Sequence, residues 1–133
     1  MNSTVLCSEA EITRMVHEFY GRVRKDGQLG PIFNQHIDDW DHHLEHLSNF
    51  WSSLLLRTGR FSGTPMQKHV VLSGLTAELF QQWLKLFRET ARAQPNQAMA
   101  EQAIEMAQRI AQSLWYGYQL THHPDVTPVD VYS

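Results

Sequence analysis

Residues 40–55 have the sequence WDHHLEHLSNFWSSLL, in which large apolar side chains recur every three or four positions. This spacing places them on one face of an α-helix. Asp38 or Asp39 can cap the start of this helix, and Thr58-Gly59 can end it. His43 falls within the apolar stripe, so its imidazole is expected to point inward. The stripe consists of Trp40, Leu44, Leu47, Phe50, Trp51, Leu54 and Leu55.

Three further helices are predicted, each starting at a residue whose side chain can cap a helix. These residues are Ser8, paired with Glu11, then Thr76 and Asn96. The helices are expected to end near Asp26-Gly27, before Pro95 and at His122-His123-Pro124. Gly and Pro interrupt residues 29–33 and 60–73, which predicts a tight packed corner and an irregular connection. No segment alternates with a period of two, so the sequence predicts an all-α fold.

The composition limits the class of protein. A length of 133 residues fits one domain, and 42% hydrophobic with 19% charged residues can build a core and exclude intrinsic disorder. A formal charge of −3 without a basic run makes nucleic acid a poor candidate partner. We expect a cytoplasmic protein with no membrane association, since long apolar runs and a signal-peptide pattern are missing. Cys7 alone cannot form an internal disulfide or a cysteine zinc site.

Eight histidines and four tryptophans in an all-helical chain indicate a flat apolar cofactor, and haem is the obvious candidate. Haem requires an apolar slot, one neutral imidazole on iron and a second face with polar side chains. His43 and His69 suit these roles, one as ligand and one on the opposite face. Taken singly, either is more commonly a hydrogen-bonded core histidine.

Two other buried polar groups are predicted. Tyr20 lies on the core side of the first helix, where its phenol needs a hydrogen-bond partner. Trp83 faces inward from the third helix and carries an indole N–H donor. Core packing alone is the commoner explanation for each.

His42, Glu45 and His46 match the H-x-x-E-H pattern of inverted zinc peptidases. This face lies opposite the apolar stripe, and a short chain without strands offers no substrate-binding structure. We therefore interpret it as a solvated helix face. His17 and His36 are also predicted at the surface, and His122-His123 in a mobile tail.

Several segments together resemble the truncated haemoglobins, the short two-over-two helical globins of bacteria, and in particular their third group. The resemblance covers about Ile12 to about Tyr118. The glycine motifs of many truncated haemoglobins of the other groups are not evident, which agrees with the third group. The matching segments are Phe19-Tyr20, Val23-Arg24-Lys25-Asp26, Leu29-Gly30-Pro31-Ile32-Phe33, His43 with Leu47, Asn49-Phe50-Trp51, Lys68-His69 and Trp83-Leu84-Lys85-Leu86-Phe87.

The resemblance implies a two-over-two helical sandwich around haem b. Residues 1–133 would form a single globin domain, with a short flexible N-terminus and a C-terminal tail from about residue 121. His69 would be the proximal ligand of the haem iron, and Tyr20, His43 and Trp83 would form the polar distal pocket. Lys68, Arg57 and Arg60 lie where they could reach the haem propionates. The implied apolar haem neighbours are Phe19, Phe33, Leu47 and Trp51.

The resemblance also implies that the protein binds dioxygen, nitric oxide and carbon monoxide. Two or three neutral donors at about 0.5–1.5 kcal/mol each would slow oxygen release by tens to hundreds of fold. This favours redox chemistry over transport, as nitric oxide dioxygenation or a peroxidase-like reaction, with a reductase as possible electron donor. Two alternatives stay open at this point, namely a gas-sensing protein without catalysis and a helical interaction module without cofactor.

Overall fold

The computed structural model describes residues 6–58 and 74–132, and the regular structure in these ranges is helical. Helix α1 packs against α3 and α4, and α4 packs along α5. One layer therefore contains α1 and α3, and the other contains α4 and α5. This is the two-over-two arrangement that the family resemblance implies. The helices are α1 (Glu9–Lys25), α2 (Gly30–His36), α3 (Trp40–Leu56), α4 (Ala77–Arg92) and α5 (Gln97–His122).

The predicted helix caps are confirmed. Ser8 Oγ accepts from the Glu11 N–H at 3.1 Å, and Glu11 Oε1 accepts from the Ser8 N–H at 2.8 Å, which completes a capping box. Of the two candidates before α3, Asp39 is the cap, and its side chain accepts from the His42 N–H at 3.1 Å. Thr76 and Asn96 cap α4 and α5 in the same way. These side chains satisfy N–H groups that a helix start leaves unpaired.

The predicted corner at residues 29–33 is a short helix, α2, which continues to His36. Pro31 does not interrupt it because it lies in the first turn, where a backbone N–H has no helical acceptor. Gly30 lies directly against α1. A Cβ at this position would stand 2.7 Å from the Arg24 carbonyl oxygen, so only glycine fits without moving backbone.

Asp26 joins this corner to α4. Its Oδ2 accepts from the N–H groups of Gln28 and Leu29 at 3.0 and 2.9 Å, and its Oδ1 accepts from Gln82 Nε2 at 2.8 Å. Burial opposes ionisation of this carboxyl, but the three hydrogen bonds and the nearby Lys85 outweigh burial, so the pKa of Asp26 lies below its ordinary value.

Replacing Asp26 with alanine should lower the free energy of unfolding by about 2 kcal/mol at pH 7, because three donors lose a charged acceptor. A lowered folded-state pKa stabilises the protein above the unfolded-state pKa, and that contribution disappears as the pH falls through the folded-state value. Urea unfolding curves of wild type and Asp26→Ala should therefore begin to approach each other near pH 4, the ordinary value for an aspartate, and should converge only below the lower folded-state pKa. The exposed Asp38→Ala is the control. A difference that stays constant down to pH 2 would contradict the charged role of Asp26.

Residues after α5 fold back onto α4 and α5, where the sequence predicts a flexible tail. Val131 is fully buried. Its carbonyl accepts from Gln81 Nε2 at 2.7 Å, and its N–H donates to Gln112 Oε1 at 3.2 Å. The Gln119 side chain bonds both the N–H and the carbonyl of Val129 at 2.9 Å. Three glutamine side chains thus supply the backbone of this segment with hydrogen bonds that a neighbouring strand would otherwise provide.

Candidate functional site

Two consecutive residues of α1, Phe19 and Tyr20, are both buried. Consecutive helical positions point in directions about 100° apart, so both are buried because α1 packs against α2, α3 and α4 at once. Phe19 contacts Trp83 and Phe87 of α4 edge to face, with ring centroids 5.3 and 5.0 Å away. The contact with the Tyr20 ring is 4.7 Å. Phe19 therefore fixes the position of α1 relative to α4.

The hydroxyl of Tyr20 lies beside the indole of Trp83. Burial raises the pKa of Tyr20 well above its ordinary value, and a hydrogen bond from the Trp83 side chain lowers it by a smaller amount. The phenol consequently stays protonated at neutral pH. Because the indole N–H is a donor only, Tyr20 Oη is the acceptor of this hydrogen bond, and the phenol keeps its own O–H as a donor.

His43 completes the polar group that the family resemblance implies. Its ring is half-buried on α3 and perpendicular to that of Tyr20, at a centroid distance of 6.5 Å. Tyr20, His43 and Trp83 come from three different helices, and the structure brings them together at one place. This neighbourhood contains two neutral donors and one titratable imidazole.

Helix α3 has two apolar faces. One is packed in the core and includes Leu44, Trp51 and Leu55. The second lies beside it and is only half-buried, so part of its apolar surface stays uncovered next to His43. Its apolar members are Leu47, Phe50 and Leu54.

Helix α4 repeats this pattern. Phe80, Leu84 and Phe87 are buried, whereas Leu79, Trp83 and Leu86 are half-buried along an adjacent face. A flat apolar group with one polar end needs uncovered apolar walls and a few donors. The half-buried faces of α3 and α4, together with the Tyr20 hydroxyl to which Trp83 donates, fit such a group.

The four predicted apolar neighbours divide into two pairs. Phe33 and Leu47 are half-buried, and the Phe33 ring lies 6.0 Å from that of Tyr20. Phe19 and Trp51 are at most 1% exposed and lie inside the core. Trp51 stacks on Phe87 at 5.0 Å. Phe19 and Trp51 therefore belong to the core that supports the site.

Three predicted residues, Lys68, His69 and Arg60, lie outside the described residues. Arg57 is exposed just after α3, with a left-handed φ of 58°. The zinc-like face of α3 has exposed His42 and Glu45 and a half-buried His46. Residues 6–58 and 74–132 contain no group of three or more histidine, cysteine or acidic side chains that could hold a metal ion.

The other histidines are placed as follows. His17 and His36 are exposed, as the sequence predicts. His122 is in the last turn of α5, where its ring stacks on Tyr118 at 4.2 Å. Tyr118 Oη accepts from the Leu75 N–H at 3.1 Å. This hydrogen bond joins α5 to the backbone two residues before the start of α4.

Trp40 is a site residue that the sequence analysis does not single out. Its ring lies 5.8 Å from His43 and 6.3 Å from Tyr20. The available signal is the i, i+3 spacing of Trp40 and His43, which places both on one helix face. That spacing does not reveal the partners on α1 and α2 that fix the indole.

The chain matches the bacterial-like globin family over residues 5–115. It is 37% identical over 118 residues to a group 3 truncated hemoglobin of Campylobacter jejuni, which covers 84% of this chain and 93% of that protein. The crystal structure of a group III truncated hemoglobin from Campylobacter jejuni superposes with a TM-score of 0.78 at 34% identity, and covers 91% of this chain and 96% of that one. In the described ranges, the helices are too short or too polar to span a bilayer.

Proposed function

The chain belongs to the bacterial-like globins, among the group III truncated haemoglobins, and from this membership we propose that it binds dioxygen, nitric oxide and carbon monoxide at a haem b. Globin membership implies haem-based ligand binding. The observation that supports the particular site is the convergence of Tyr20, His43 and Trp83 beside half-buried apolar faces of α3 and α4.

We assign the holding of haem to four residues, of which two lie within the described ranges and two lie between those ranges. His69 would be the iron ligand, Lys68 would reach a propionate, and Phe33 and Leu47 would supply apolar contacts. Haem bound in this way supplies an iron centre at which one diatomic ligand can be held next to the distal residues.

Tyr20 is the principal hydrogen-bond donor of the proposed pocket. Its hydroxyl accepts from Trp83, and an accepting hydroxyl is polarised toward being a better donor. The protonated phenol can therefore donate to a ligand that carries partial negative charge. His43 lies beside it as a group that can hold or pass a proton.

Replacing Tyr20 with phenylalanine should speed dioxygen dissociation about tenfold, since one neutral hydrogen bond is lost. Stopped-flow displacement of dioxygen by carbon monoxide measures this rate. Tyr116→Phe is the matched control because Tyr116 is exposed on α5. An unchanged dissociation rate in Tyr20→Phe would remove the phenol from the pocket.

For the reaction, we propose conversion of nitric oxide and dioxygen to nitrate, with one electron per turnover supplied by a reductase. Slow release of dioxygen favours this use of the pocket over transport. Rapid nitrate production with an electron donor is expected, and slow nitrate production would oppose it.

A second candidate is a peroxidase-like reaction in which either His43 or Tyr20 moves a proton. It is favoured by the distance of 6.5 Å between the ring centroids of these two residues. Inertness of the ferric protein toward peroxide would exclude that candidate.

The visible absorption spectrum of the purified protein tests the proposal. We expect one haem per chain, a histidine-ligated ferrous form, and spectral changes with carbon monoxide and dioxygen. A protein that stays colourless after reconstitution with haem would overturn the proposal and favour a helical interaction module.

A further inference from the structure

Two exposed residues of neighbouring helices hold the outer side of Trp40. The Arg24 guanidinium lies over the indole, 4.5 Å from the ring centroid. The indole Nε1–H donates to Asn34 Oδ1 at 3.2 Å, and Asn34 Nδ2 donates to the Arg24 carbonyl at 3.3 Å. These contacts form a closed ring of interactions between α1, α2 and the first residue of α3. We call this ring the Trp40 clamp.

The inner side of Trp40 contacts two of the polar residues of the site. Its ring is perpendicular to that of His43, with 5.8 Å between centroids, and tilted against that of Tyr20 at 6.3 Å. Edge-to-face aromatic contacts of this kind are favourable at these distances. The half-buried indole therefore lies between the exposed Arg24 and Asn34 and the buried Tyr20.

We propose that Trp40 is a positioning residue which, fixed by Arg24 and Asn34, holds the His43 imidazole beside Tyr20 and sets the rate at which ligands pass His43. The inference rests on the proposed function for the identity of those ligands. The contacts of the Trp40 clamp do not depend on the proposed function.

The clamp sets the energy of an outward movement of His43. The indole occupies the space next to the imidazole, so a turn of the imidazole toward the Trp40 side displaces the indole. Displacement breaks the cation–π contact with Arg24 and the hydrogen bond to Asn34. Together these interactions are worth about a tenfold change in an opening equilibrium.

Variants at the two exposed clamp residues test this without changing an aromatic ring. Arg24→Met keeps most of the side-chain volume without the charge, and Asn34→Ala removes the acceptor. Each should speed association of carbon monoxide about threefold, and the double variant about tenfold. The increase should be larger for n-butyl isocyanide, which needs a wider opening. Arg22→Met, exposed two residues earlier on α1, is the matched control and should match wild type.

A second readout does not require haem. Nuclear Overhauser effects between the His43 and Tyr20 rings should be present in wild type and in Trp40→Phe, which keeps a ring beside His43. They should be lost in Trp40→Ala and weakened in the Arg24→Met, Asn34→Ala double variant. If the protein takes up no haem, the proposed function fails while this measurement still tests the clamp. Wild-type ring contacts in the double variant, or wild-type association of both ligands, would overturn the proposal.

Discussion

Replacing His69 with glycine should abolish the histidine-ligated spectrum and lower haem affinity by at least about a hundredfold. The loss is expected to be this large because removing only a residue that hydrogen-bonds to a metal ligand already lowers metal affinity by up to about a hundredfold. Added imidazole should restore the spectrum by binding in the space that the side chain leaves. Optical titration with haem, with and without imidazole, measures both effects.

The choice of His69 is supported by where the other histidines lie. His43 is beside Tyr20 and Trp40, which suits the opposite face of the ligand site. His17, His36, His42 and His122 are exposed on their helices, and the half-buried His46 lies on the face of α3 that carries His42 and Glu45. The exposed His123→Gly is therefore the control, and it should bind haem as wild type does. If His69→Gly kept the spectrum and His43→Gly lost it, the roles of the two histidines would be reversed.

Replacing Trp51 with alanine should lower the free energy of unfolding by about 3–5 kcal/mol, the range for truncating a fully buried large aromatic side chain. Trp51 is 1% exposed and stacks on Phe87 with an interplanar angle of 20°. Its loss would leave a cavity between α3 and α4. A typical domain has about 5–15 kcal/mol of stability in total, so the variant should be close to unfolding at 37 °C.

Equilibrium urea unfolding followed by circular dichroism measures this loss. Trp51→Phe keeps part of the stack on Phe87 and should lose less than half as much. Leu120→Ala, on the exposed side of α5, should change stability by at most about 0.5 kcal/mol. A loss below about 1 kcal/mol in Trp51→Ala would show that the core closes around the gap.

The helices and their starts could be predicted from the sequence because both depend on nearby residues. Ser8 and Glu11 are three positions apart, and the cap of α4 at Thr76 involves Leu79. Where α2 lies, the sequence predicts a corner instead of a helix, since Gly30 and Pro31 have low helix propensity. Their actual positions, against the Arg24 backbone and in a first turn, remove both objections.

The site was predictable only in part. Inward orientation of Tyr20, His43 and Trp83 follows from helical spacing, but their convergence depends on how three helices pack, and only the family resemblance indicated it. The Trp40 clamp and the burial of Val131 use contacts between residues distant in sequence. The bond between Gln81 and Val131, for example, spans 50 positions. No local sequence pattern predicts contacts between residues so far apart in the chain.

The close approach of Gly30 to Arg24 also limits how the gene can vary. Every missense change in a glycine codon introduces a residue with a Cβ. At position 30 that atom would stand 2.7 Å from the Arg24 carbonyl, the same carbonyl that accepts from Asn34 in the Trp40 clamp. Each missense mutation at this codon would therefore disturb the corner and the Trp40 clamp together.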